Sequence, residues 1–128
     1  MILAEDQTTP LMLINKQQGE AMTERFIIEN ICNQVIAEGL AENEQDFCMR
    51  WLCRGEGYMR TLRFRGLQPS ADALAVCADK LRFYALALSA SDRASSQATG
   101  RALQLLHSTC EDAIRSAAQR QWQRHSVH

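Results

Sequence analysis

The sequence predicts an all-α protein of five helices. Three observations carry that expectation. Apolar residues return at three-and-four spacing along successive stretches, and most of these stretches open on a capping residue or close on a glycine. Ala and Leu are plentiful, while aromatic residues make up only 6%. Ala and Leu lose little conformational freedom in a helix, so this bias favours helix over strand.

The 128 residues, 46% hydrophobic and 23% charged, suit a single domain with a modest core. They divide into an N-terminal arm (1–22), a helical domain (23–88) and a C-terminal amphipathic helix with its tail (89–128). The net charge of −1 hides a polarity. Residues 1–49 hold nine acids and two bases, whereas residues 50–128 hold six acids and twelve bases. Five of those bases, Arg50, Arg54, Arg60, Arg63 and Arg65, crowd into sixteen residues with one acid, Glu56. The local balance decides what a surface attracts, so the near-neutral total excludes only a bulk polyanion binder.

The five cysteines, Cys32, Cys48, Cys53, Cys77 and Cys110, form no CxxC pair, and their odd number argues against a disulfide framework. Most fall on apolar faces, where a free thiol acts as a small hydrophobe. His107 and Cys110 share a helix face, but two further ligands are missing, so no metal and no cofactor is expected. No run is apolar for long enough to cross a membrane. The start lacks a basic leader and its apolar run is broken by acids and Pro10, so a cytoplasmic setting is the default.

In chain order, Leu11–Ile14 reads equally as a strand, a docking arm or an unfolded tail. The first helix is expected from about Glu24 to Glu38, with Thr23 as N-cap and Gly39 as its stop. Phe26, Ile27, Ile28, Ile31, Cys32, Val35 and Ile36 form its buried stripe. Asn43 caps a second helix from Glu44 to about Cys53, burying Phe47, Cys48, Trp51 and Leu52. Gly55 and Gly57 break it and let the chain turn. A third helix runs from Glu56 or Gly57 to Arg65 and stops at Gly66. Pro69 and Ser70 open a fourth, with Leu74, Cys77, Ala78 and Leu81 inward and an extension through Leu88.

Ser89 and Asp92 offer a further capping pair. The last helix is expected from Arg101, or from as early as Ala90, with Ser95, Ser96 and Gly100 weakening its first turns. Leu103, Leu106, Cys110, Ala113, Ile114, Ala117 and Trp122 lie near one face. That face suits either a cover for the core or a dimer contact.

The stretch Gln45–Leu81 resembles the helix-turn-helix region of the lambda-repressor-like family. In PSADALAVCADKL, a Pro-Ser opens a helix, and Leu74, Ala78 and Leu81 follow at that family's intervals. Met59 and Leu62 match the inward aliphatics of its recognition helix, and Cys48 and Leu52 match the buried positions of the helix before it. Two departures stand out. Cys53 occupies the place of the usual turn glycine, with Arg54 where an aliphatic is usual, and the spacing from Leu62 to Gly66 is one residue longer.

The resemblance implies a five-helix lambda-repressor-like domain with a long C-terminal helix, acting as a DNA-binding transcriptional regulator. The third helix would enter the major groove. Arg60 would then pair with guanine and Thr61 with a base or a thymine methyl, while Glu56 would either accept from cytosine or disfavour phosphate nearby. Gly57 and Phe64 would share the outward face. Gln45, Arg54, Arg63 and Arg65 would hold phosphates, which position a protein without reading sequence, and Arg50 would join them on the DNA-binding surface. The implied partner is double-stranded DNA, bound by a homodimer through the C-terminal helix. The charge of the acidic N-terminal region suits either masking the basic face or docking a protein partner.

The rival reading is a non-enzymatic helical protein-interaction module, an adaptor or inhibitor on the same fold. No enzyme is expected. His107, His125 and His128 lack placed partners, and no paired carboxylates or phosphate-cradling loop occur.

Overall fold

The computed structural model describes residues 23–126. The arm 1–22, with its Leu11–Ile14 run, lies outside the described residues, as do 127 and 128. Among the described residues the chain is all-helical, with five helices and no strand. They are α1 (Glu24–Ala37), α2 (Glu44–Asp46 continuing as a π-helical segment Phe47–Trp51), α3 (Tyr58–Arg65), α4 (Ala71–Ser89) and α5 (Ala94–Ser126).

Local chemistry sets most boundaries. Thr23 Oγ1 accepts from the Phe26 amide at 3.2 Å, Asn43 Oδ1 from Asp46 at 2.8 Å, and Ser70 Oγ from Ala73 at 3.1 Å. Each side chain satisfies an amide with no partner inside its helix. Two helices end in a matching pattern. Gly39 (φ 78°) and Gly66 (φ 65°) take the left-handed conformation that glycine adopts without steric cost. The following amides then reach back, Leu40 to the Val35 carbonyl at 3.0 Å and Leu67 to the Leu62 carbonyl at 2.9 Å. That is the Schellman arrangement.

All five helices share one core. Ile28, Ile31 and Val35 of α1 meet Phe47, Cys48 and Trp51 of α2, with Met59 of α3. Leu74, Cys77 and Leu81 of α4 and Leu103, Cys110 and Ala113 of α5 complete it. Each large aliphatic so buried contributes about 1.5–3 kcal/mol relative to exposure. Trp51 stacks between Phe47 at 6.1 Å and Tyr84 at 5.4 Å. Its indole nitrogen is buried without a hydrogen-bond partner among the described residues.

Three expectations about the helices change. Phe26 is 51% exposed, whereas Glu24 is buried, so the inward stripe of α1 is rotated toward Glu24, Ile27 and Ile31. Ser89 belongs to α4 and does not cap α5; instead Ser91 Oγ accepts from the Arg93 amide at 3.1 Å. Helix α5 also runs unbroken through Gly100.

The reason for Gly100 is the α4–α5 crossing. A Cβ at Gly100 would lie 2.5 Å from Ser89 Oγ, 2.9 Å from the Ser89 nitrogen and 3.1 Å from the Ala85 carbonyl oxygen. Glycine is there for close approach, not as a helix breaker. Farther along, the Cys110 thiol donates to the Leu74 carbonyl at 3.3 Å, which makes α4 and α5 antiparallel. The 33 residues of α5 span about 50 Å at 1.5 Å per residue, well beyond the 19 of α4. Its far third reaches α1, where Arg120 Nη1 meets Glu24 Oε2 at 3.0 Å. The apolar stripe of α5 therefore covers this chain's own core, and Trp122 is left 58% exposed.

Candidate functional site

The arginine-rich stretch folds into the end of α2, a turn and α3. Trp51 and Leu52 are buried, and Cys53 then takes φ 54°, the only non-glycine residue described with positive φ. For an L-residue that conformation costs about 1–2 kcal/mol. It swings the chain outward while the Arg54 amide still reaches the Cys48 carbonyl at 2.9 Å. Met59 and Leu62 then point into the core, 1% and 4% exposed, which turns Arg60, Thr61, Phe64 and Arg65 to solvent.

The five arginines separate into two groups. Arg50 makes a bidentate pair with Asp46, at 2.6 Å and 2.7 Å. Arg54 Nη2 donates to Ser70 Oγ at 3.0 Å and to Asp72 Oδ2 at 3.1 Å, and its guanidinium lies 5.7 Å from the centre of the Tyr58 ring. Arg63 bridges two helices, bonding Glu29 of α1 at 2.9 Å and both carboxylate oxygens of Glu44 of α2 at 3.1 Å and 2.8 Å. Its hydrogen bond to Glu44 raises its pKa further. Arg60 and Arg65 are exposed and form no ion pair among the described residues.

The other candidates are less crowded. Arg60 folds back toward Gly57, where a Cβ would lie 2.9 Å from Arg60 Nη2, a flexible end that can move. Glu56 and Gln45 are exposed, with Gln45 flanked by Glu44 and Asp46. The Tyr58 hydroxyl accepts from the Ser70 amide at 3.1 Å, which ties the start of α3 to the start of α4. Sequence reasoning missed Arg25. Its Nη1 donates to the Leu62 carbonyl at 3.3 Å, and its amide donates to Gln68 Oε1 at 2.8 Å, so α1 holds the end of α3. Nothing in the local pattern flags it, because the contacts span 37 and 43 residues.

The arrangement is a short helix braced at both ends, with a narrow free face. Arg54 and Tyr58 fasten its start, and Arg63 and Arg25 fasten its end. Exposed pairs of this kind are each worth only about 0–1 kcal/mol, but together they fix an orientation. His107 lies 3.5 Å from Glu111, while Cys110 is buried and turned to Leu74, so these two residues do not converge. No helix described is long and apolar enough to cross a membrane.

These features define an all-helical domain that displays one braced, partly basic helix. Residues 28–123, α1 through most of α5, match the profile of a family of unknown function (DUF6626), and the chain belongs to that family. No curated protein and no solved structure matches it.

Proposed function

We propose that the chain is a small, non-enzymatic DNA-binding protein of lambda-repressor-like build, acting as a transcriptional regulator, with α3 entering the major groove. The observation that carries this reading is the free face of α3. Arg60, Thr61, Phe64 and Arg65 are exposed together on a helix whose other side is fastened to α1, α2 and α4. A preorganised helix carrying Arg60, which forms no ion pair among the described residues, suits bidentate recognition of guanine. The left-handed Cys53 supports the reading too, because it stands where the lambda-repressor-like turn carries glycine.

In this reading Arg60 and Thr61 face bases and Arg65 faces a phosphate, with Gln45 at the flank. Arg50, Arg54 and Arg63 brace the scaffold. Two half-sites would supply specificity, and a dimer would use what α5 leaves exposed, Leu105 and Trp122.

Fluorescence anisotropy of a labelled duplex under rising salt tests the reading. Arg65 on a phosphate should give a log–log slope of about −1, at roughly −0.9 per phosphate contact. Arg60→Ala with Arg65→Ala should abolish retention without lowering the melting temperature. Retention by the double variant equal to that of the wild type at low salt would overturn the proposal.

A second reading, the protein-interaction module, draws on a specific observation. Arg50 and Arg63 are both neutralised by acids of the N-terminal half. A groove of about 530 Å³ beside Arg50, lined also by Cys53, Ala75, Lys80, Phe83 and Tyr84, would take an apolar side chain of a partner. Absence of duplex binding at any salt, by wild type and variants alike, would favour this module.

A further inference from the structure

We infer that Phe64 reads thymine methyl groups, so that this surface selects thymine-containing duplex by apolar contact as well as by arginine. The inference rests on the DNA-binding reading and deepens it. Phe64 is 90% exposed, the most open of the large hydrophobic side chains described. Isolated surface apolar residues are ordinary, but this one is placed by a rigid helix in chemical company. It lies four residues after Arg60 and three after Thr61, the spacings that put side chains on one helical face. Leu67, 46% exposed, continues the apolar surface just beyond Gly66.

None of the ring contacts among the described residues engages Phe64. It is also not needed for the fold, since Met59 and Leu62 hold α3 to the core. In the major groove the apolar feature a base pair offers is the thymine C5-methyl, and phenylalanine is a side chain that packs on it. Phosphate offers such a ring nothing. A face with Arg60 and Phe64 one turn apart thus has the chemistry for guanine and thymine at neighbouring positions.

Replacing thymine by deoxyuridine removes that methyl and keeps the pairing, which makes a clean probe. A pool of mixed-sequence duplexes and the same pool made with deoxyuridine are titrated against the full chain. The wild type should prefer the thymine pool by about fourfold for one buried methyl group. Phe64→Ala should bind both pools alike, with affinity for the deoxyuridine pool within twofold of the wild type. A preference lost in Thr61→Ser, which removes the methyl of Thr61 but keeps its hydroxyl, and kept in Phe64→Ala would assign the methyl contact to Thr61 and overturn the inference. Circular dichroism should show unchanged helicity for both variants.

A wild type that binds both pools equally, with binding still lost on Arg60→Ala, would overturn the methyl contact and leave the DNA-binding reading standing. An undiminished preference in Phe64→Ala would do the same. A wild type that binds neither pool would overturn both.

Discussion

Arg120 of α5 reaches Glu24 of α1 across 96 residues of sequence, at 3.0 Å, and Glu24 is buried while Arg120 stays half in solvent. The pair joins the first helix to the last third of the longest one. Removing one member leaves a buried carboxylate without its cation, which costs more than the pair itself contributes. Arg120→Ala should therefore destabilise the fold by about 1–3 kcal/mol, below the full range for a buried pair because one partner is solvated. Adding Glu24→Gln should recover part of that loss. Urea denaturation of the single and double variants checks both statements.

The left-handed Cys53 should be a point of stored strain. Cys53→Gly removes the steric cost of φ 54°, offset in part by the greater freedom of glycine in the unfolded chain. The expected net is a stabilisation of about 0.5–1 kcal/mol, seen as a rise of about 2–5 °C in melting temperature. Cys53→Val should lower it, since a β-branched residue is the least suited to positive φ. A Cys53→Gly variant that melts earlier than wild type would show that this turn is not strained.

Gly100→Ala should be destabilising even though alanine is the better helix former by about 1 kcal/mol. The added methyl would meet backbone atoms of Ser89 and Ala85 at 2.9 Å and 3.1 Å, which cannot rotate away. A loss of about 1–3 kcal/mol is expected for such overpacking, read from thermal or urea midpoints. At exposed Gly55, where a Cβ would meet nothing within 4 Å, alanine should be near neutral.

Stability should be flat at intermediate pH and fall at both ends. The hydrogen bond from Arg50 holds the Asp46 carboxyl down to about 2. A depressed folded pKa gives stability that is present above the unfolded value, about 3.9, and lost as pH falls through 2. Burial pushes the Cys32 thiol up to about 12. That contribution is intact below the unfolded value, about 8.5, and is lost as pH climbs toward 12. Urea midpoints across pH should show Asp46→Asn with a shallower acid limb and Cys32→Ala with a shallower alkaline one.

Much of the helical framework was legible because its determinants are local. Thr23, Asn43 and Ser70 each cap an amide three residues ahead, and Gly39 and Gly66 end helices within a single turn. Met59 and Leu62 face inward, as their resemblance to the inward aliphatics of a recognition helix implies. The α1 stripe departs from its apolar pattern at Phe26 and Glu24, and Glu24 goes inward where Arg120 meets it. The candidate site was legible as a list of residues but not as a charge distribution. Arg63 pairs with Glu29 and Glu44, 34 and 19 residues away, and Arg54 with Asp72, 18 away.

By itself, then, the sequence determined the all-helical class, most helix starts and stops, and most of the residues that face the core, Phe26, Trp122 and Glu24 apart. Capping, glycine conformation and apolar period act over three to five residues and need no neighbour from elsewhere in the chain. Tertiary packing decided that α5 runs whole through Gly100, that it lies along both α4 and α1, and that Arg60 and Arg65 form no ion pair among the described residues while Arg50, Arg54 and Arg63 do. For all except Arg50, whose partner Asp46 lies four residues away, those outcomes depend on which helices meet. A guanidinium is free or paired according to the carboxylates that folding brings within about 4 Å, where Coulomb attraction becomes appreciable.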